Sequence, residues 1–396
     1  VTGWRDIAVW KRLSECPEVV AAVAGSNPGD AAGVVRLRRR FDADLVSAAL
    51  ELAEARRKAA AKFARASELW CDVAGVEQAS GERVAAWKAA RMREVLGRGA
   101  AILDICSGIG GDAMALAQAG LEVTAVDIDE RRAWMASANA GCAAQVADAG
   151  MIDLVGAVLH ADPARRDEAR GSRSWNLEDH APGRAWIERA MTEARATAIK
   201  FSPGVDRAAF GALPIAWEFI EDHGRLVQAV AWCGAFARGD AGRTRATRMG
   251  HDGVDTLAGE PDERRSDRIG CGIELHAGML LHEAYPAVER AALLTEASGG
   301  RAGEIVRGLG LLAGEAHLDP RWFESFEIVA ECTARERAVA EVLRQHGLSL
   351  RSVRVRGRAV DGDALTKAIG AHPTGDAVVF AFRRGDSATA VVARVG

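Results

Sequence analysis

No run of about 18 apolar residues, the length that crosses a bilayer as a helix, occurs in this 396-residue sequence, so no membrane span is expected. The stretch VTGWRDIAVWKRLSECPEVV (1–20) carries charges where a secretion signal needs an unbroken apolar core, and a cytoplasmic location is expected. CxxC pairs are also missing. The seven cysteines are scattered from Cys16 to Cys332, which suits reduced thiols and speaks against a disulfide framework or a zinc site; no metal is expected. There is no surplus of positive charge: a formal net charge of −4 argues against a protein that coats nucleic acid non-specifically, while leaving room for a local basic surface. Neither an internal repeat nor a low-complexity segment is present. What remains, 49% hydrophobic and 27% charged residues, is an ordinary globular composition, long enough for two or three domains.

Arginine greatly outnumbers lysine, as a base-composition bias alone would produce, so the placement of arginines carries more information than their number. The segments ADLVSAALELAEARRKAAAKFARASELW (43–70) and ERVAAWKAARMREVLG (82–97) place apolar residues at three- and four-residue intervals among strong helix formers, and the first hundred residues read as helical. Gly97 and Gly99 mark a boundary. Strands and helices then alternate: strands at 101–105, 121–129, 142–149, 155–163 and 197–204, helices at 130–140 and through 186–194, and a further strand or closing hairpin at 224–236. Such alternation implies a parallel sheet with crossover helices. Residues 237–267, rich in Gly, Arg and Asp, read as surface loops. Near the C-terminus a helix (333–347), a strand (349–358), a helix (361–372) and two strands around the turn at 385–387 give an α-β-α-β-β unit.

The stretch LDICSGIGGDAMALA (103–117) joins an apolar strand to an amphipathic helix through a glycine turn. Glycines at 108, 110 and 111 tolerate positive φ and leave no Cβ in the way, and the free N–H groups of the helix face outward, so a nucleotide is the natural guest. Two readings are open. Gly108, Gly110 and Ala113 satisfy GxGxxG/A, and Asp127 lies at the end of the next strand, about 20 residues on, where a dinucleotide fold keeps its ribose acid. Asp104, an acid at the end of the first strand, favours the other. Asp104, Cys106, Gly108 and Gly110 resemble the DxGxGxG signature of class I methyltransferases that use S-adenosylmethionine, with Cys106 in place of the first glycine. The resemblance implies that Asp104 approaches the methionine amino end of the cofactor. Asp127, with Ile128 beside it, can meet the ribose, and Asp148 in VADAG looks like the family acid that faces the adenine amino group. A single acid at a strand end is often only a helix cap; three after three successive strands read as a cofactor pocket.

HADPARR (160–166) ends the fourth strand, where class I methyltransferases place the substrate. Asp162 and Pro163 match the start of the (N/D)PP(Y/F/W) motif of amino-group methyltransferases; Ala164 and Arg165 do not, and Trp175 in GSRSWNLED is the candidate to take over base stacking. Arg165 and Arg166 can hold a phosphate or carboxylate, or simply pair with Asp167 and Glu168. Methyl transfer from a sulfonium needs positioning more than acid–base help, so no catalytic triad is expected. His160 reads as a core or pocket-wall residue, and His276 and His282 receive no role.

KFARASELWCDVAGVEQAS (62–80), DICSGIGGD (104–112), DPARRDE (162–168), IKFSPGVD (199–206) and LRSVRVRGR (350–358) together resemble bacterial class I methyltransferases with a C-terminal THUMP-like domain, relatives of the trimethylguanosine synthases. The resemblance covers most of the chain and implies an α/β class I methyltransferase fold, a Rossmann-like doubly wound sheet with a helical N-terminal region and a small α+β C-terminal domain. It divides the chain into 1–97, a methyltransferase domain at 98–266, a connecting segment at 267–330 and the THUMP-like unit at 331–396. It places Lys200 and Ser202 at the substrate mouth, and it implies S-adenosylmethionine as cofactor and RNA as partner, methylated at a base nitrogen. Arg354, Arg356 and Arg358 alternate along one strand and are expected to share a basic face that could meet phosphates. The alternatives are a methyltransferase for a small anionic metabolite, a non-catalytic nucleotide-binding module and, more distantly, a dehydrogenase.

Overall fold

The computed structural model describes residues 3–25, 31–165 and 180–395, which form two compact units, one of residues 1–216 and 229–241 and the other of residues 217–228 and 242–396.

The first unit begins with six helices, α1 (Ile7–Ser14), α2 (Pro17–Ala24), α3 (Ala31–Arg40), α4 (Ala43–Ala59), α5 (Val73–Gln78) and α6 (Glu82–Leu96). Asp42 caps α4 by accepting from the N–H groups of Asp44 and Leu45, and Leu45, Ala48, Ala49, Leu52, Ala55 and Ala59 line its buried face. They pack with Trp10, Leu13, Val19 and Val23 into one core that also includes Ile109 and Met135. The expected helix to Trp70 stops at Ala59. Propensity continues past that point, but Lys62 leaves the helix to donate to the carbonyls of Val76, Glu77 and Ala79 at 2.8, 2.9 and 3.0 Å, and tertiary bonding overrides local preference.

Strand β1 (Ala101–Ile105), helix α7 (Gly111–Gln118), β2 (Glu122–Asp127), α8 (Glu130–Ala140), β3 (Ala143–Val146), β4 (Val158–Ala161), the short β5 (Ala164–Arg165) and β6 (His180–Ala181), α9 (Arg184–Glu193) and β7 (Ala196–Phe201) follow. After β8 (Ala216–Asp222) comes β9 (Arg225–Gly234), whose residues 229–234 pair antiparallel with β7. The first unit's sheet therefore runs β9-β7-β4-β1-β2-β3, parallel from β7 to β3. Strand order reverses at β1 and β4, so the crevice for a ligand opens at the carboxyl ends of these two strands. This is the class I methyltransferase order.

The second unit departs from the expected division. Residues 242–267 read as loops because the buried positions of TRATRM are Thr, Ala and Met, with arginines between. They form β10 (Thr244–Met249) and β11 (Val254–Gly259), with β10 parallel to β8 and antiparallel to β11. The expected connector 267–330 supplies β12 (Leu280–Ala284), α10 (Pro286–Ala291), α11 (Leu294–Ser298), β13 (Gly303–Glu304), β14 (Leu311–Gly314) and most of β15 (Phe323–Thr333). With α12 (Glu336–Gln345), β16 (Leu350–Val355), α13 (Gly362–Ile369), β17 (Ala377–Arg384) and β18 (Ser387–Val395), they build a seven-stranded sheet ordered β13-β14-β12-β15-β18-β17-β16.

The arginine face is corrected as well. Arg354 is bonded to Glu283 and Glu324 and lies over the Phe326 ring, Arg356 donates to Glu283 at 2.6 Å, and Arg358 lies beyond β16 in a left-handed turn. Alternation placed Arg354 and Arg356 correctly on one face, but that face meets glutamates contributed by β12 and β15. Among the described residues no helix is long and apolar enough to cross a membrane.

One close approach in the first unit is directly testable. Gly110, at φ 83°, would bring an added Cβ to 2.7 Å from Ala136 Cα on α8. Gly110→Ala is expected to lower the unfolding free energy by about 1–3 kcal/mol, read as a shift in the urea midpoint.

Candidate functional site

The turn after β1 is built by residues that accept unusual backbone geometry. Cys106 adopts φ 59°, followed by Gly108 at 56° and Gly110 at 83°, so a cysteine occupies a left-handed position that favours glycine. Burial and the neighbouring carboxylates push its thiol pKa far up, which keeps it an uncharged, unreactive group. Asp127 clamps the turn to the end of β2: Oδ2 accepts from Gly108 N and Oδ1 from Asp129 N, each at 2.9 Å. Burial raises its pKa against those bonds. Ile128, next along, is 70% exposed. A Cβ on Gly108 would meet no atom within 4 Å, so the turn borders open space. Asp148 is exposed, and its Oδ1 accepts from Gly150 N at 2.8 Å, capping the short turn after β3.

Behind the turn lies a fully buried polar chain. Asp104 Oδ1 lies 2.7 Å from His160 Nδ1 on β4, and His160 Nε2 lies 3.2 Å from Lys88 Nζ on α6. Lys88 forms an ion pair with Asp112 on α7 at 2.7 Å, and Ser80 Oγ donates to the same carboxylate at 2.9 Å. Lys88, Asp104 and His160 are each 1% exposed. Burial penalises the Asp112 carboxylate, but Lys88, then His160 and Lys200, hold its pKa well below the usual carboxylate range. For Asp104 the balance is reversed: burial dominates the help from His160 and raises its pKa. Asp104 Oδ2 and Ser107 Oγ are buried without a hydrogen-bond partner among the described residues.

At the end of β4 the Asp162 backbone N–H donates to Ile105 O at 3.1 Å, drawing the carboxyl ends of β1 and β4 together. Its carboxylate pairs with Lys200 Nζ at 2.6 Å, and Lys200 also donates to Gln78 O at 3.1 Å. Burial pulls the Lys200 pKa down, but Asp162 and Asp112 outweigh it and leave it raised. Lys62 is shifted the other way, lowered by burial and by Lys200. Pro163 is buried, and Ser202, half-buried just past β7, accepts through its carbonyl from Val205 N. Arg166 and Trp175 lie outside the described residues, as does the side chain of Arg165.

Asp104, Cys106, Gly108, Gly110, Asp127, Asp162 and Lys200 thus lie at the carboxyl ends of adjacent strands or in the turns that follow. Sequence reading missed Lys62, Gln78, Ser80, Lys88 and Asp112. Lys88 did leave a signal: it sits at the four-residue interval between Val84 and Met92 on the apolar stripe of α6, where a lysine has to find a buried partner. An S-adenosyl nucleoside with an amino-acid tail fits this donor set. The glycine turn gives backbone access, Asp127 suits a ribose, exposed Ile128 suits an adenine face, and orphaned Asp104 Oδ2 suits an ammonium.

No family model matches the chain. Two relatives from Mycobacterium tuberculosis, strains CDC 1551 / Oshkosh and ATCC 25618 / H37Rv, are each named an uncharacterized S-adenosylmethionine-dependent methyltransferase. Each is 29% identical over 302 residues, covering 74% of this chain and 78% of the relative. Among solved structures, a putative methyltransferase from Porphyromonas gingivalis W83 superposes with a TM-score of 0.73 at 14% identity, covering 96% of this chain and 98% of that one. The fold of this chain is that of the Rossmann-like methyltransferases.

Two outcomes are expected. Cys106→Val places a β-branched residue in the left-handed region and costs more than about 1.5 kcal/mol, whereas Cys106→Gly changes stability by less than about 0.5 kcal/mol; chemical denaturation separates them. Lys88→Met strands the Asp112 carboxylate and costs about 3–5 kcal/mol at pH 7. Because the folded pKa of Asp112 is depressed, its contribution is present above the ordinary value of 3.8 and is lost as pH falls towards the folded value. The gap between wild type and Lys88→Met therefore narrows as the urea series is moved from pH 7 to pH 3.

Proposed function

We propose that this chain is an S-adenosylmethionine-dependent methyltransferase acting on a base nitrogen in RNA. The observation that carries the methyl-transfer reading is the juxtaposition of Asp104 and Asp127 around the Cys106–Gly110 turn with Asp162-Pro163 at the end of β4, across the reversal of strand order. The cofactor would be held at its ammonium by Asp104, at its ribose by Asp127 and at its adenine by Ile128, with Asp148 near enough in sequence to β3 to face the base edge. It supplies an electrophilic methyl group with a neutral leaving group, so the protein's task is orientation.

In this reading Asp162 orients the accepting amine by taking one of its hydrogens in a hydrogen bond, and receives the proton after transfer. Lys200, at 2.6 Å, fixes the direction of that carboxylate; Pro163, buried, stiffens the backbone beside it. Ser202 borders the same strand ends. From sequence, Trp175 is assigned to base stacking, and Arg165 and Arg166 to a phosphate of the substrate.

The RNA half is supported by α3. Arg36, Arg38, Arg39 and Arg40 are exposed on a helix that carries no acidic residue, and α3 packs on α4, whose core continues to Ile109 in the turn after β1. A basic face of this kind meets phosphates, and its affinity falls with salt. The arginines of β16, bonded to glutamates, are not assigned to RNA.

The test is transfer of labelled methyl from S-adenosylmethionine to a cell extract split into RNA, protein and small-molecule fractions. Nuclease-releasable label is expected, falling about 100-fold or more in Asp162→Ala, and falling when Arg38, Arg39 and Arg40 are replaced by glutamine, by a larger factor at 50 mM salt than at 150 mM because the variant has lost part of the salt-dependent attraction. Label confined to small molecules overturns the RNA substrate and makes the arginine substitutions silent.

A further inference from the structure

The buried chain behind the cofactor turn has a direction. Lysine carries donors only, so with Lys88 Nζ at 3.2 Å the Nε2 of His160 must accept. Nδ1 then carries the ring hydrogen and donates to Asp104 Oδ1 at 2.7 Å. The partners thereby assign the tautomer. Lys88 spends its remaining donors on Asp112 and Ser80, at 2.7 and 3.3 Å. Its charge and that of Asp112 cancel, while the negative charge of Asp104 has no cation of its own. One oxygen of Asp104 is satisfied and the other, Oδ2, is buried with no donor among the described residues. A buried carboxylate oxygen in that state is costly unless a ligand supplies the donor.

Resting on the reading of the cofactor given above, we propose that Lys88 and His160 are positioning residues for cofactor recognition: they hold Asp104 by one oxygen so that the other receives the ligand's α-ammonium. Neither touches the cofactor. Lys88 imposes the Nδ1–H tautomer, and the tautomer imposes the carboxylate's orientation. The arrangement makes affinity depend on the amino-acid tail of the ligand through residues that lie one and two side chains away from it.

Two ligands and two variants separate this role from a merely structural one. S-adenosylhomocysteine carries the α-ammonium; 5′-methylthioadenosine has the same nucleoside and sulfur without the amino-acid tail. An asparagine amide nitrogen reproduces the Nδ1–H donor of histidine, whereas a glutamine reaches only the Nε2 position. By calorimetry, His160→Gln is expected to bind S-adenosylhomocysteine at least about tenfold more weakly, a loss of about 1.4 kcal/mol, and to bind 5′-methylthioadenosine as wild type does. His160→Asn is expected to retain both affinities within about threefold. Equal loss of both ligands in His160→Gln, or loss of neither, overturns the proposal while leaving the cofactor reading standing. Wild-type protein that binds neither ligand overturns both. Should His160→Gln not fold, 15N spectra of the wild-type imidazoles decide. The expected result is a histidine with Nδ1–H and a bare Nε2 that shifts with S-adenosylhomocysteine and not with 5′-methylthioadenosine, assigned by its absence in His160→Asn; the Nε2–H tautomer at that residue refutes the proposal.

Discussion

The ammonium of Lys88 is the contact on which the first unit is organised. A charge 1% exposed is tolerable only when its partners are in place, and those partners come from different parts of the chain: Asp112 from the first turn of α7, His160 from β4 and Ser80 from the segment before α6. Helix α6 therefore cannot leave the sheet without exposing or stranding a charge. Since His160 in turn bonds Asp104, the N-terminal helices and the cofactor turn are parts of one polar assembly. The helical region expected from sequence as a separate N-terminal element is built into the site.

The segment from Val76 to Ser80 plays the matching role around Lys200 and Asp162. Its carbonyls receive Lys62 and Lys200, and its serine hydroxyl donates to Asp112. Backbone carbonyls can take a cation without adding a titrating group, so Lys62 and Lys200 are held by one segment, and Lys200 also donates to the Asp162 carboxylate. The lowered pKa of Lys62 and the raised one of Lys200 express that geometry: both are partly buried, but of the two Lys200 has a carboxylate at 2.6 Å. The consequence is that the Asp162 carboxylate is held in one direction by the protein itself.

How far sequence reached follows from the range of the interactions. The β1 turn was legible because its signal is local: an apolar strand, a run of glycines and a helix start within fifteen residues. The alternation of β1, β2, β3, β4 and β7 with helices was legible for the same reason, with α8 found at its observed limits, whereas the two-residue β5 and β6 were not. Strands β8, β12, β13 and β14 and most of β15 were not recognised, and β10 and β11 were read as loops; in β10 the buried Thr and Ala give hydropathy too little contrast, and in β8 and β12 buried Glu218, Glu221 and His282 interrupt the apolar signal. The partners of Lys88 are 8 to 72 residues away in sequence, a separation no periodicity reports. Cys106 reads as a departure from a glycine pattern, and the structure shows that the backbone kept the glycine conformation anyway. The turn's shape is thus imposed by its surroundings, with Gly108 N and Asp129 N both fastened to Asp127, and the residue at its tightest point accommodates it.

Arginines divide in the same way between placement and availability. Arg354 and Arg356 sit two residues apart on and just after β16, which is all a sequence can say, but β12 and β15, separated from β16 in the sheet order by β18 and β17, bring Glu283 and Glu324 to them and Phe326 beneath. Their charge is consumed in holding the seven-stranded sheet together. On α3 no acid is offered by the helix itself, and Arg38 donates to a serine hydroxyl, Ser47, at 3.3 Å, a contact that adds no negative charge. A chain with a net charge of −4 can therefore still present a basic surface, because field at a surface depends on which cations lack an adjacent carboxylate and not on how many cations the chain contains.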